Sequence, residues 1–286
     1  MPNASLPPQK QMTTMLGHPV AENPIDQMFD AVYAHYGLRW QFWKCDVTSE
    51  NKIAAAISGI RALGFAGACI TVPYKVVSIP YLDEVDDDVR AIGAVNYMTI
   101  KNGRLIGHNN DGKGVVKAIQ KVTPIKGKRV VMLGAGGAGR AMAVELAWAG
   151  ASHLTLITRR ESQGVEVAQT VTRASGVPAE WVQWSGEVLV PEGTHIVMNA
   201  THLGAAPEKE PVPVNWETVS KDITVVDVIT NPRLTPFLKA ARDKGCPIVN
   251  GVEMLVQLAM QIFEEWTGIK PDEAIFQRAV AKALGE

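Results

Sequence analysis

The sequence predicts an α/β fold of two domains, the second built on a doubly wound parallel sheet. Three observations carry this. Apolar runs of strand length alternate with segments of helical spacing along most of the chain. A glycine-rich turn at 134–139 joins a β-branched run to a helical pattern. The last two segments, 253–266 and 271–284, are helical with apolar faces.

Pro2, Pro7 and Pro8, with no apolar stretch of signal-peptide length, predict a loose tail over the first ten or so residues. Met15 and Leu16 then form a short strand ending at Gly17. Ile25, Met28, Phe29, Val32 and Tyr33 make one apolar face of a helix over 24–36. A strand is expected over 38–45, a helix over 52–63 stopped by Gly64, and a strand over 68–72 ended by Pro73, which has no N–H for a ladder. The acidic run Asp83 to Asp88 reads as a solvated helical turn. Asn102-Gly103 between the runs 95–100 and 104–108 signals a hairpin. A linking helix follows at 113–122, and further strands are expected at 130–133, 154–157, 181–184, 195–199, 223–228 and 247–249. The expected division is a substrate-binding and catalytic domain at 1–112, a nucleotide domain at 113–249, and C-terminal helices at 250–286 that pack on the first domain.

The turn itself is Gly134, Ala135, Gly136, Gly137, Ala138 and Gly139. Gly134 can take the tight bend, Gly136 lets backbone approach a pyrophosphate, and Gly139 lets helix and strand pack closely; free N–H groups at the helix start face the anion. A glycine string alone can be a structural loop. The strand before it, the helix after it and the second strand at the right distance favour a Rossmann-type dinucleotide site. After that second strand stand Thr158, Arg159 and Arg160, where an NAD site usually has an acid. Such donors suit a 2′-phosphate, so NADP is the expected cofactor and NAD the alternative. The plainer reading is a pair of solvated arginines.

At 47% hydrophobic and 20% charged residues the composition is that of an ordinary globular protein, and a net charge of −1 gives no reason to expect nucleic acid or an anionic membrane as partner. No apolar run reaches membrane length. Cys45, Cys69 and Cys246 are odd in number and far apart, which fits a reducing cytoplasm better than a disulfide framework. No metal is expected: the cysteines and the six histidines lack metal-ligand spacing, and His108 and His202 read as hydrogen-bonded structural residues.

Nicotinamide chemistry needs a group that moves a proton and groups that fix the substrate. Thr71 and Lys75 in CITVPYK, Asn96 in AVNYM and Asp111 in GHNNDG lie at strand ends. Singly, each has a plain alternative: an exposed lysine, a turn asparagine, an N-cap aspartate.

Taken together, the motifs from about Met15 to Trp266 resemble the shikimate dehydrogenase family. GFAGACITVPYK is similar to its Asn-Val-Thr-x-Pro-Phe-Lys stretch, AIGAVNY to Gly-Ala-Val-Asn-Thr, and NNDGKG to Asn-Thr-Asp-Gly-x-Gly. GAGGAGRA matches the nucleotide loop, TRR falls on the Asn-Arg-Thr clamp, and NATHLG on Asn-Ala-Thr-x-x-Gly. VVDVITNPRLTP resembles Asp-x-x-Tyr-Asn-Pro-x-x-Thr-Pro, and GVEMLVQLAMQIFEEWTG the final Gly-x-x-Met-Leu-x-x-Gln helix. The resemblance implies Lys75 and Asp111 as the catalytic pair, with Asn96 and Gln257 on substrate hydroxyls and Thr71 nearby. It implies Arg159 as the clamp for the 2′-phosphate, and Asn199, Ala200, Thr201, Val228 and Gly251 beside the cofactor. It further implies shikimate or quinate metabolism and a monomer or homodimer. Glu253, one turn before Gln257, is a further pocket candidate.

The departures concern the carboxylate. The family opens with Gly-x-Pro-x-x-His-Ser-x-Ser-Pro, whose serines, with the tyrosine before Asn-Pro, hold the carboxylate of shikimate. This chain reads GHPVAENPID, about two residues shorter, and has Thr230 at the tyrosine position. Glu22 adds a negative charge where an anion would sit, which disfavours a carboxylate in that orientation. Asn23 and Thr230 remain as donors, with His18 or Lys10 near enough in sequence to approach. Cys69 and Tyr97 replace a family asparagine and threonine. The expected activity is therefore reversible NADP-dependent hydride transfer between a hydroxyl of a cyclic or short polyol, or of a hydroxy acid related to shikimate but held differently, and the matching ketone. Shikimate or quinate itself is the second reading. A nucleotide sensor without turnover is the third, and retention of both Lys75 and Asp111 speaks against it.

Overall fold

The computed structural model describes residues 10–207 and 210–286, so the expected tail at 1–9 lies outside the described residues. The first sheet begins with three parallel strands, β1 (Gln11–Gly17), β2 (Trp40–Asp46) and β3 (Gly67–Ile70), linked through helices α1 (Ile25–His35) and α2 (Ile53–Ala62). β1 is longer than its two apolar residues suggest. Thr13 and Thr14 are buried in it, with hydroxyls bonded to the Tyr33 hydroxyl (2.9 Å) and to Trp43 O (2.9 Å), so polar side chains sit in the strand without an unpaired group.

Next come β4 (Glu84–Val85), α3 (Asp87–Ile92) and the hairpin of β5 (Tyr97–Lys101) and β6 (Arg104–His108). Asn102 and Gly103 both take positive φ, +53° and +75°, as a tight hairpin turn requires. The strand order is β2-β1-β3-β5-β6-β4, a mixed sheet because the hairpin enters antiparallel. The acidic run opens α3 and is only partly solvated, with Asp83, Glu84 and Asp87 exposed and Asp86 and Asp88 half-buried. Asp83 pairs with Arg61 (2.6 Å), Asp86 caps α3 through Val89 N (2.8 Å) and takes His108, and Asp88 pairs with Lys113; Asp87 alone is almost wholly exposed.

Helix α4 (Asp111–Gln120) leads into the second sheet. It starts two residues before the expected linking helix, which makes Asp111 its first residue. There follow β7 (Arg129–Leu133), α5 (Gly137–Trp148), β8 (His153–Thr158), α6 (Glu161–Ser175), β9 (Ala179–Gln183), β10 (Ile196–Asn199), β11 (Thr224–Asp227), α7 (Pro236–Asp243) and β12 (Ile248–Val249). All pair in parallel, in the order β12-β11-β10-β7-β8-β9. The chain leaves β7 toward one edge and returns at β10 on its other side, so a crevice opens at the carboxyl ends of β7 and β10.

The closing helices α8 (Gly251–Thr267) and α9 (Glu273–Ala283) return to α1. Phe263 and Phe276 pack with Phe29 and Tyr33 at ring separations of 5.6–6.4 Å. Trp266 donates its indole N–H to Met98 O (3.1 Å) and crosses Gly67, where a Cβ would lie 2.2 Å from the ring. That contact explains the glycine at the start of β3. Among the described residues no helix is long and apolar enough to cross a membrane, and no cluster of possible metal ligands occurs.

Candidate active site

Lys75 follows β3 in a turn closed by Tyr74 N to Thr71 O (2.9 Å). Tyr74 is buried and its hydroxyl donates to Val47 O, which fixes the turn from below, while Val95 N donates to Lys75 O (2.8 Å). The ammonium of Lys75 meets the Asp111 carboxylate in an ion pair, with side chains only 10% and 5% exposed. A pair so shielded from water is held by geometry as well as charge.

Three asparagines, Asn96, Asn109 and Asn110, build the other wall. Asn109 Oδ1 accepts from Asp111 N (3.1 Å), and its amide donates to Ala94 O (2.9 Å). Asn110 donates to Leu258 O of α8 (3.0 Å). Asn96 Oδ1 accepts from Asn110 N (3.0 Å), and Asn96 Nδ2 donates to Asn110 Oδ1 (2.8 Å) and Asp111 Oδ1 (3.0 Å). Both amide hydrogens of Asn96 are thus spent inside the protein. It positions Asp111, rather than offering a donor to substrate as the family resemblance implied. Thr71 lies at the mouth, with its methyl against Gly17. Cys69 is buried beneath the pair, and burial pushes its thiol up, so it stays neutral.

Gln257 is the larger correction. Counted from Gly251, the glutamine position of Gly-x-x-Met-Leu-x-x-Gln is occupied by Leu258, and Gln257 stands one residue early, about 100° away around the helix. Its amide turns toward Glu273 of α9, although the nitrogen closes no hydrogen bond. Glu273 is held below the usual carboxylate range by the hydrogen bond from Lys121 first, with Gln257 a lesser cause. Glu253 joins the same group, bonded to Lys121 (3.3 Å) and to Gln277 (3.2 Å). Lys121 ends α4, about 15 Å along the helix from Asp111, so Glu253 lies away from the ion pair.

The region expected to receive the substrate's far end is organised by Lys44. Its ammonium donates to Ala21 O (2.8 Å) and Asn23 O (3.0 Å) and pairs with Asp26 (3.2 Å). Asn23 Oδ1 accepts from Ile25 N (3.0 Å) at the start of α1, and Glu22 is exposed. His18 is turned to Asp46 (2.8 Å) and Lys10 is exposed. Across the cleft, Thr230 is half-buried on a loop fixed by Asp227, which accepts from Thr235 (2.6 Å), Asn199 (3.1 Å) and Ile229 N (3.1 Å). Burial pushes the Asp227 carboxyl up to about 7 despite those bonds.

The nucleotide side fits a dinucleotide. Gly134 has φ +95°, and a Cβ there would meet Thr201 Cγ2 at 2.8 Å and Ala200 O at 2.9 Å. At Gly136 the space is open for 4 Å, and α5 begins at the next residue with no side-chain cap on its free N–H groups. A Cβ on Gly139 would press on Gly134 O (3.1 Å), and one on Gly251 would overlap Val228 O and Ile229 O, at 2.4 and 2.3 Å. These contacts bring the glycine turn of 134–139 against Ala200 and Thr201, and Gly251 against Val228. Two expected contacts turn inward instead. Asn199 is fully buried, donating to Leu203 O and Asp227 and accepting from Thr201; it shapes the loop. Thr158 accepts from Trp181 Nε1 (2.9 Å) and donates to Arg160 O (2.9 Å), leaving Arg159 and Arg160 as the exposed donors. The two halves meet at Gly137, where a Cβ would stand 3.0 Å from Lys75 Cβ.

Sequence reasoning missed Asn109, Asn110, Tyr74 and Trp184. NNDGKG placed the asparagines beside Asp111 but could not say which way they point. Glu145, also missed, lies on α5 against Gly112, with Oε1 unpaired and burial raising its carboxyl to about 7.

Residues 15–98 match the shikimate dehydrogenase substrate binding domain. The NADP(+) shikimate dehydrogenase of Moorella thermoacetica is 37% identical over 280 residues, 96% of this chain and 94% of that protein. The ligand-free crystal structure of 5-ketofructose reductase from Gluconobacter sp. strain CHM43 superposes with a TM-score of 0.87 at 39% identity, covering 96% of this chain and 99% of the other. A shikimate dehydrogenase solved with NADP+ gives a TM-score of 0.90 at 31% identity, over 97% and 96% of the two chains.

Proposed function

The chain belongs to the shikimate dehydrogenase family of NADP-dependent oxidoreductases, and from that premise we propose that it reduces a neutral keto-polyol, reversibly, with NADPH. The observation that carries this reading is the remade far end of the cleft. Lys44, a cation beside residues 21–26, is consumed by two carbonyls and Asp26, and Glu22 adds a charge of the wrong sign for an anion. No serine pair or tyrosine stands where the family holds a carboxylate. The likeness to a reductase whose named substrate, 5-ketofructose, has no carboxylate supports it.

Residues 1–112 supply the substrate half, 113–249 the nucleotide half, and 250–286 a brace on the first. When bound, the nicotinamide supplies the hydride. Lys75 Nζ gives a proton to the carbonyl oxygen, completing the alcohol, and takes it back in oxidation. Asp111 holds that ammonium in place, and Asn96 holds Asp111. Thr71, Asn23 and Thr230 are the polar groups left to meet hydroxyls, with Leu258 contributing an apolar patch in place of a glutamine. Arg159 and Arg160 receive the 2′-phosphate.

The 37% identity to an NADP(+) shikimate dehydrogenase sustains one second reading, shikimate or quinate held in another orientation. Initial rates separate the two: 5-ketofructose and related neutral ketoses with NADPH, against shikimate and quinate with NADP. Turnover of a neutral ketose, with none of the acids, is the expected result. Efficient oxidation of shikimate at low KM would overturn the substrate assignment.

A further inference from the structure

Trp184 is a residue that the chemistry described above does not use. β9 pairs with β8, Thr158 beside Gln183, and the ladder runs one residue further through Trp184 N to Thr158 O (2.9 Å), which sets Trp184 next to Arg159. Trp184 is 8% exposed and packs with the buried apolar side chains of Leu133, Ile157 and Val188. The indole N–H donates to Gly186 O (3.2 Å), and Gln183 donates from its amide to Arg159 O (3.3 Å). The ring is thereby fixed on its inner side and along one edge. Over it lies the Arg159 guanidinium, 5.4 Å from the ring centroid.

We propose that Trp184 positions Arg159 for the cofactor's 2′-phosphate and so sets the preference for NADP over NAD. The inference rests on the NADP reading. A cation–π contact over the ring uses none of the guanidinium's N–H hydrogen bonds, which stay available to bind a phosphate in bidentate fashion. A free arginine loses much rotamer entropy when it grips an anion, and one already laid on a rigid ring has lost part of it beforehand. Among the described residues no carboxylate pairs with Arg159, in contrast to Arg140, which is held by Glu166 at 2.7 Å. Its charge is therefore available to a ligand. Thr158, where the family has asparagine, is tied to Trp181 and Arg160 O and gives no such help.

The test is calorimetric binding of adenosine 2′,5′-bisphosphate and adenosine 5′-monophosphate, which differ only in the 2′-phosphate, to the full chain and to Trp184→Leu, Trp184→Phe, Arg159→Ala and Arg159→Ala/Trp184→Leu. Trp184→Leu is expected to weaken the bisphosphate by about threefold to tenfold while the monophosphate moves by less than about twofold; Trp184→Phe, with a π face, recovers most of the loss. The double variant should bind the bisphosphate no more weakly than Arg159→Ala, because without the arginine the ring has nothing to position. Equal weakening of both ligands in Trp184→Leu, or additive losses in the double variant, would show a purely structural tryptophan and overturn the proposal. No change in ligand preference for Arg159→Ala would overturn the phosphate clamp itself, and the proposal with it.

Discussion

Removing the Lys75 ammonium tests the chemistry most directly. Lys75→Ala deletes the proposed proton donor and leaves Asp111, 5% exposed, with the Asn96 amide as its remaining side-chain partner. Loss of a general acid typically lowers turnover by about 10²–10⁴-fold, or about 3–5 kcal/mol of barrier. Breaking a buried ion pair also destabilises the fold, by about 3–5 kcal/mol in general. Here the lower end applies, because Asp111 begins α4 and keeps the favourable end of its dipole. Alanine also removes the stem that lies on Gly137, so Lys75→Met, which keeps the stem without the charge, separates packing from proton transfer. Steady-state rates followed by NADPH absorbance, with NADPH binding measured by fluorescence, report both variants. Both should lose at least about a hundredfold in kcat and keep NADPH affinity within about threefold. If folded Lys75→Met retained more than about a tenth of kcat, Lys75 would not be the proton donor.

Gly137→Ala places a methyl 3.0 Å from Lys75 Cβ and 3.5 Å from Cδ, so the lysine must shift. Displacements of this size can lower turnover by about ten- to a hundredfold; kcat should fall more than NADPH affinity, and an unchanged kcat would mean that the two halves separate freely during turnover. Glu145 predicts a pH dependence of stability. Its carboxyl rises from 4.5 to about 7 in the fold because burial disfavours the charge. Between those values the unfolded chain releases the proton and the folded chain keeps it, so stability falls as pH rises through that window. The upper limit is about 3 kcal/mol, reduced to about 1–2 by screening at the rim of the cleft. Glu145→Gln should therefore raise Tm at pH 8 and leave it nearly unchanged at pH 4; an equal shift at both would refute the assignment.

Patterns with a strong local cause were legible. The glycine turn, its flanking strands and the Asn102-Gly103 hairpin follow from backbone geometry that few other residues allow, and the parallel pairing of the second sheet follows from the alternation of strands and helices, though its strand order does not. Lys75 and Asp111, 36 residues apart, were placed together by motif resemblance; no local pattern pairs them. What stayed hidden depends on direction. Asn96 and Asn199 stand where donors to ligands are expected, yet both spend their amides on neighbouring loops, because a buried amide is satisfied by whichever partner the fold brings nearest. Gln257 shows the sharpest limit. A one-residue offset on a helix turns a side chain by about 100°, enough to move it from the cleft to the α9 face. The acidic run was only half legible for the reverse reason: its partners Arg61, His108 and Lys113 are distant in sequence, so nothing local showed which acids are paired.

The arrangement also explains how the proton chemistry and the choice of substrate come apart. The hydrogen bonds that hold the ion pair run among Ala94, Asn96, Asn109, Asn110, Asp111 and Leu258. Those that hold the far end of the cleft run among Ala21, Asn23, Ile25, Asp26 and Lys44 on one side and Asp227 and Thr235 on the other. The two sets share no residue. They touch through the backbone of β1 and β3, where Thr71 N meets Leu16 O and His18 N meets Val72 O, and through Tyr74, whose hydroxyl donates to Val47 O while Val47 N donates to Gly17 O. Side chains at 18–23 and at 230 can therefore change without disturbing the position of Lys75, since couplings between groups with no common partner are small. On this geometry the proposed change of substrate, through a shortened opening loop and a threonine at 230, leaves the Lys75–Asp111 pair in place.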